Sequence, residues 1–296
     1  MKKVVLFIGF IIAGFVFWSL CIKPYDYLVS FNVKTTPGTI NQSLKLWNSG
    51  LKDATIEFEK EANTFKHQRT FNDSLHTYKW QSNPINDSIT NVKIFITDPK
   101  NGFKNRILNP FFNTDFERRT KKTVLLFIDH INKHLKEIKI TLKGESETKS
   151  VYCAYVPLKS LQVEKAKNMM QYYSLINGFL AKNNVVFNGT PFLQVTNWNQ
   201  QTDSISYHFC FPITKKDSLP EHQKIKYKQY TSVKALKAVY NGNYITSDRA
   251  WYALDAYAKT NNIKINKTPL EVFYSNPNFG GDELQWKAEI FMPIKE

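Results

Sequence analysis

Cysteine is scarce in this chain, with three in 296 residues, and Cys21 falls inside an apolar N-terminal run. That leaves Cys153 and Cys210, too few for a disulfide framework. They fall on separate predicted strands and read either as a pair or as two buried free thiols. Signatures of catalysis are missing as well. No Gly-x-Ser-x-Gly elbow, His-Glu-x-x-His, Cys-x-x-Cys or phosphate loop occurs. The six histidines are scattered without metal-ligand spacing. The sequence therefore gives no cofactor and no metal site, and the expectation leans away from an enzyme. Helix-turn-helix, zinc-finger and RNA-recognition patterns are absent too. Direct contact with nucleic acid is not expected, although the net charge is +15. The lysines are spread, as on a solvated basic face near an anionic surface.

What remains is the composition of a folded protein: 42% hydrophobic, 15% aromatic and 22% charged. The 22 Phe, 15 Tyr and 6 Trp are enough to fill cores and also to line apolar pockets. Met1-Lys2-Lys3 precedes an unbroken apolar run from Val4 to Ile22. At a rise of ~1.5 Å per residue that run approaches the ~30 Å of a bilayer core. It is expected to be an uncleaved transmembrane anchor over residues 1–23. The chain would then be a single-pass bacterial cell-membrane protein with its body outside the cytoplasm. A cleavable signal peptide is the competing reading, but no small-x-small cleavage site follows the run.

Residues 24–143 read as one α+β segment. Tyr25 to Val33 alternates as a strand. Thr36-Pro37-Gly38-Thr39 opens a short helix, and strands are expected around Thr55–Glu61, Leu75–Gln81 and Asn91–Thr97. A long helix from about Phe116 to Ile138 carries Val124, Phe127, Ile128, Ile131, Leu135 and Ile138 at helical spacing. This order resembles the START-like (SRPBCC) helix-grip fold. The resemblance implies a curved sheet around the long helix and an apolar cavity; the helix's apolar stripe by itself reads as core.

Residues 145–296 repeat themselves. Ala181-Lys182-Asn183-Asn184 followed by Val185 to Pro191 is echoed by Ala258-Lys259-Thr260-Asn261-Asn262 followed by Ile263 to Pro269. Each copy runs on to a closing strand, Ser206 to Ile213 in the first and Lys287 to Ile294 in the second. Two copies are too few for a solenoid. They are expected to form two antiparallel βαββ halves, about 145–213 and 231–296, joined by a charged connector over Thr214 to Gln229. A groove between such halves is a natural place for a ligand.

Four motifs stand in order within this part: Tyr240-Asn241-Gly242-Asn243-Tyr244, the helix with Trp251, Glu271-Val272-Phe273-Tyr274-Ser275-Asn276-Pro277, and Ala288-Glu289-Ile290-Phe291-Met292-Pro293. Together they resemble the GyrI-like domain, also called the AraC-type effector-binding domain. The resemblance implies a small organic ligand, often a lipophilic cation, held in a groove between the halves. It also allows a hydrolase, since a few related proteins are reported as such. A carboxylate in an aromatic wall is costly unless a cation arrives, which nominates Glu289 and Glu271. Tyr240, Tyr244, Tyr274, Trp251, Trp286 and Phe291 would supply ring faces. His208 occupies the position of Glu289 in the first half and is the last ligand-binding candidate. Set against this, Lys287 sits two residues from Glu289 on the same strand face and could make it a surface pair; Trp251 could equally be core. The sequence thus reads as a membrane-anchored binding or sensor protein for a small amphiphilic or cationic ligand, with an unknown protein partner as one route for its signal. Its alternatives are a hydrolase using the same groove, with Glu289 as general base, and a lipid binder acting through the START-like cavity.

Overall fold

The computed structural model describes residues 2–59, 63–71 and 74–295. Met1, Glu296 and the last two residues of the strand expected over Thr55–Glu61 lie outside these. The chain is a mixed α/β protein with two antiparallel sheets, and it divides into two units, Met1–Lys133 and His134–Glu296.

The first unit begins with α1 (Lys2–Phe17) and a π-helical turn over Trp18–Ile22. Next come β1 (Tyr27–Val33), α2 (Pro37–Ser49), β2 (Ala54–Phe58), β3 (Thr64–Phe71), β4 (Ser74–Pro84), β5 (Thr90–Thr97), α3 (Gly102–Leu108) and α4 (Asp115–Lys136). The strands form one sheet in the order β1-β5-β4-β3-β2. β5 shows why: Thr90, Val92, Ile94 and Ile96 are buried while the residues between them are not, the period of two that a strand with one covered face requires. α2 starts where Thr36 Oγ1 accepts from Thr39 N–H at 3.4 Å and Pro37 takes the first helical position. α4 buries Val124, Phe127 and Ile131, and the Phe127 ring meets Trp80 edge-on at 4.9 Å and Trp47 at 5.6 Å.

The expected transmembrane anchor is not found. No helix among the described residues is long and apolar enough to cross a membrane. α1 keeps α geometry for 16 residues, which at 1.5 Å per residue is about 24 Å, and it opens on Lys2 and Lys3. At Trp18 the hydrogen-bond ladder widens into the π turn, so the apolar run is not one continuous α-helix matched to ~30 Å of hydrocarbon. The transmembrane element of the expected fold, and with it the single-pass cell-membrane placement, is overturned.

The second unit holds β6 (Lys139–Glu147), β7 (Val151–Leu161), α5 (Lys165–Lys182), β8 (Phe192–Asn199), β9 (Ser204–Pro212), β10 (Lys226–Tyr230), β11 (Lys234–Asn241), α6 (Arg249–Thr260), β12 (Leu270–Phe273) and β13 (Lys287–Pro293). All eight strands join one antiparallel sheet in the order β10-β7-β9-β8-β12-β13-β11-β6. The order is two-fold symmetric about the β8–β12 seam. β7-α5-β8-β9 and β11-α6-β12-β13 are the two βαββ halves, and β10 and β6 close the outer edges. Both edge strands escape a hydrophobic-pattern reading because lysine, with glutamate in β6 and glutamine in β10, breaks their apolar pattern, as suits a strand with one row of unpaired backbone groups. β10 occupies the end of the segment expected to be a connector.

The sheet has one face under helices and one without them. Ala288, Ile290 and Met292 of β13 pack with Trp251 and Leu254 of α6, and Phe209 and Phe211 of β9 with Ile176 and Leu180 of α5. The opposite face carries a separate cluster of Cys153, Phe192, Cys210, Ala235, Leu270 and Phe291, to which neither helix contributes. Cys153 and Cys210 are free, buried thiols.

Candidate functional site

The helix-free face bears the chemistry, and register decides which residues reach it. Val272 lies opposite Glu289, and Val239 lies opposite Glu289 on the other side. Lys237 lies opposite Phe291. Side chains directly across a ladder share a face, so Lys237, Val239, Val272, Glu289 and Phe291 form one patch. Thr141 joins it opposite Val239. The β6–β11 register then shifts, with Leu142 opposite Ala238 and Gly144, at φ +77°, opposite Lys237. Lys143 is the extra residue of this bulge, a device that re-aims a side chain. Thr141, Lys143, Lys237, Val239, Lys287 and Glu289 line a cleft of ≈ 460 Å³. It lies on the second half of the sheet, on β6, β11 and β13, and not on the seam between the halves.

Glu289 is the hub. Its Oε2 accepts from Tyr274 OH at 3.0 Å and pairs with Lys237 Nζ at 3.0 Å; its Oε1 pairs with Lys287 Nζ at 3.0 Å. Burial pushes the carboxyl up, but the hydrogen bonds from Lys287, Lys237 and Tyr274 outweigh it and leave Glu289 below the ordinary carboxylate value. Tyr274 moves the other way: burial, then the hydrogen bond and charge of Glu289, push its phenol up to about 12. Each ammonium also lies over a ring, Lys237 over Phe291 at 5.2 Å and Lys287 over Tyr274 at 4.6 Å. Glu289 is therefore a charged, satisfied carboxylate and a weak base, which removes the raised basicity that the hydrolase expectation needed.

His208 is at the equivalent place on the first half. Its Nδ1 accepts from Lys228 Nζ at 2.6 Å, which leaves the ring proton on Nε2, and Lys228 also reaches Gln194. The imidazole stacks obliquely on Tyr155 at 4.5 Å. Burial, followed by the charges of Lys228 and Lys226, lowers its pKa to about 4, so it is neutral near pH 7.

Of the nine residues nominated from sequence, Glu289, Tyr274, Phe291 and His208 stand on the helix-free face. The other five belong to the packed layer on the helix side. Glu271 is fully buried and bonded through both carboxylate oxygens to Lys165 Nζ at 2.8 Å, with Ser247 Oγ donating at 3.1 Å. Trp251, on the buried side of α6, is 0% exposed, and Lys165 Nζ lies 4.8 Å from its ring centre. Tyr240 is likewise 0% exposed; its hydroxyl donates to Asn243 O at 2.8 Å, and burial raises its pKa. Tyr244 donates to Lys287 O at 2.8 Å with its ring against Phe273, and Trp286 Nε1 donates to Gly280 O at 3.2 Å. The sequence reading missed Thr141, Lys143, Lys237 and Val239. Lys237-Ala238-Val239 does carry the period-two signal of a two-faced strand, whereas the bulge at Lys143-Gly144 breaks that signal. Among the described residues, no group of three or more His, Cys, Asp and Glu side chains is placed to hold a metal ion.

Residues 160–295 match the family described as the GyrI-like small molecule binding domain. This part of the chain is thus a small-molecule-binding domain of the GyrI-like type. No curated protein matches the chain. Among solved structures, the chain is similar to the EcmrR C-terminal domain at 13% identity and a TM-score of 0.42, covering 54% of this chain and 98% of that one. It is similar to SAV2435 bound to tetraphenylphosphonium at 14% identity and a TM-score of 0.37, covering 52% and 94%. A hydrolase encoded by lin2189 from Listeria innocua matches at 8% identity and a TM-score of 0.32, covering 54% and 92%. With TM-scores below 0.5, none of these bears on the ligand of this chain.

Proposed function

We propose that the cleft around Glu289 is the ligand site of this domain and that the chain acts as a binder or sensor of a small amphiphile, without turnover. The observation that carries the reading is the Glu289 hub: a carboxylate and three cations gathered around Val239, two of those cations seated over rings, on a sheet face that no helix among the described residues of this unit covers. Val239 and the aliphatic stems of Lys237 and Lys287 offer an apolar bed, and the charged groups around them orient a polar head. The state of Glu289, ionised and held from three sides, supports binding over general-base chemistry. Within the first unit, the five-stranded sheet and the long helix α4 support a START-like reading of that unit. His67 and Trp80 there carry buried ring nitrogens without hydrogen-bond partners among the described residues.

The test is amide chemical-shift mapping of the full chain during titration with phenylbutyrate, phenylbutyramide and phenylbutyl-trimethylammonium. Saturable shifts of β6, β11 and β13 resonances by at least one probe are expected. Shifts confined to the first unit would move the site there and sink this reading. Hydrolysis of phenylbutyrate methyl ester that disappears in Glu289→Gln would instead establish the enzyme.

A further inference from the structure

The charge of the cleft is opposite to what a cation receptor needs. Lys143, Lys237 and Lys287 surround a single carboxylate. Lys237 and Lys287 occupy both of its oxygens, so the cost of placing Glu289 among rings is already offset by the chain's own cations. A cationic ligand would have to displace two lysines at 3.0 Å and then share the cleft with three ammonium groups. Lys143 is the unbalanced charge. Among the described residues no carboxylate pairs with it, and the bulge sets it beside Lys237, where like charges on neighbouring strands repel. Thr141, two residues before it on β6, lines the same cleft, and no hydrogen bond engages its hydroxyl among the described residues. The first half adds no negative charge at the matching place, where neutral His208 accepts from Lys228.

We propose that the cleft selects a small organic acid, a carboxylate on an apolar or aromatic body. The acid group is held by Lys143 Nζ and Thr141 Oγ1 in the field of Lys237, and the body lies on Val239 and along the aliphatic stems of Lys237 and Lys287. Glu289 then serves as the clamp that fixes Lys237 and Lys287 over their rings, and not as the receptor for a cation. This rests on the cleft being the ligand site and adds the sign of the ligand.

The experiment is calorimetric titration of the full chain with the three phenylbutyl probes, which share a body and differ in charge, on wild type, Lys143→Gln and Glu289→Gln. Phenylbutyrate is expected to bind at least about tenfold more tightly than the amide, with affinity falling as salt rises. Lys143→Gln is expected to remove most of that preference while thermal unfolding stays unchanged, since Lys143 is an exposed lysine with no partner among the described residues. Tighter binding of the trimethylammonium probe, lost in Glu289→Gln, would overturn the acid proposal and leave the cleft in place. Acid binding that is indifferent to Lys143→Gln and shifts no β6, β11 or β13 resonance would overturn the proposal and the cleft reading together. Failure of all three probes to bind at millimolar concentration would count against both.

Discussion

Glu271 and Glu289 stand on paired strands one register step apart, Glu271 opposite Ile290 and Val272 opposite Glu289. That single step puts one carboxylate against helix-side packing and the other on the helix-free face. In the interior Glu271 meets Lys165 at 2.8 Å with both side chains 0% exposed, and burial still raises its pKa. Removing one partner of such a pair leaves an uncompensated buried charge and costs about 3–5 kcal/mol. Lys165→Met is therefore expected to lower the urea midpoint sharply, and adding Glu271→Gln to it should return much of the loss. The half-exposed pair Lys287–Glu289 is worth only about 0–1 kcal/mol by comparison. An unchanged midpoint in Lys165→Met would show that the buried pair contributes nothing to stability. The sequence announces both glutamates as strand residues flanked by aromatics at i+2, and that much is visible from alternation alone. Which face a helix will cover is a tertiary fact. Alternation therefore nominated Glu271 together with Glu289, the motif resemblance added Tyr240 and Trp251 as ring faces, and only packing separated them.

The echo of Asn183-Asn184 in Asn261-Asn262 has its cause at the ends of α5 and α6. Asn184 and Asn262 take φ of 54° and 56°. Asn184 N–H reaches Ala181 O at 3.1 Å and Val185 N–H reaches Leu180 O at 3.0 Å; Asn262 N–H reaches Lys259 O at 3.3 Å and Ile263 N–H reaches Ala258 O at 2.8 Å. Both are Schellman stops, in which a left-handed residue lets the chain turn back and satisfy the last helical carbonyls. Asn tolerates that conformation, and a β-branched residue does not. Asn262→Val is expected to lower the melting temperature, at a cost of about 1–2 kcal/mol, while Asn262→Gly should leave it level or higher. Equal melting temperatures for the two variants would contradict the motif. Elements with such local signals were legible: both helix stops, the Thr36-Pro37 start and the alternating strands. Elements that depend on a partner were not. β10 and β6 are strands because β7 and β11 pair with them, and their own residues are those of an exposed edge. The apolar run at the N-terminus was legible as a helix, but its length in α geometry was not.

At the scale of the molecule, two units with separate sheets respond differently to acid. In the first, His67 on β3 is 0% exposed, ringed by Trp47 at 5.5 Å, Tyr78 at 5.5 Å and Trp80 at 6.4 Å. Neither ring nitrogen has a hydrogen-bond partner among the described residues. Burial, then the charge of Arg69, lowers its pKa from 6.5 to about 4. A histidine whose folded pKa lies below its unfolded one binds its proton more readily in the unfolded chain, so acid favours unfolding. Its neutral burial costs nothing in stability above about pH 6.5. The loss accumulates as pH falls from there toward 4 and approaches about 3 kcal/mol, a large share of a marginal total. His208 in the second unit is shifted in the same direction but is half-buried, and water screens much of the effect. The first unit is therefore expected to fail first on acidification. Indole resonances of Trp80 should disperse less below about pH 5 while those of Trp251 persist. His67→Leu, close in size and without a proton to gain, should flatten the pH dependence of the first unit's unfolding free energy between about pH 7 and 4.5. A variant that keeps the wild-type slope would transfer the acid sensitivity to some other group, and simultaneous loss of both indole signals would mean that the two units unfold as one.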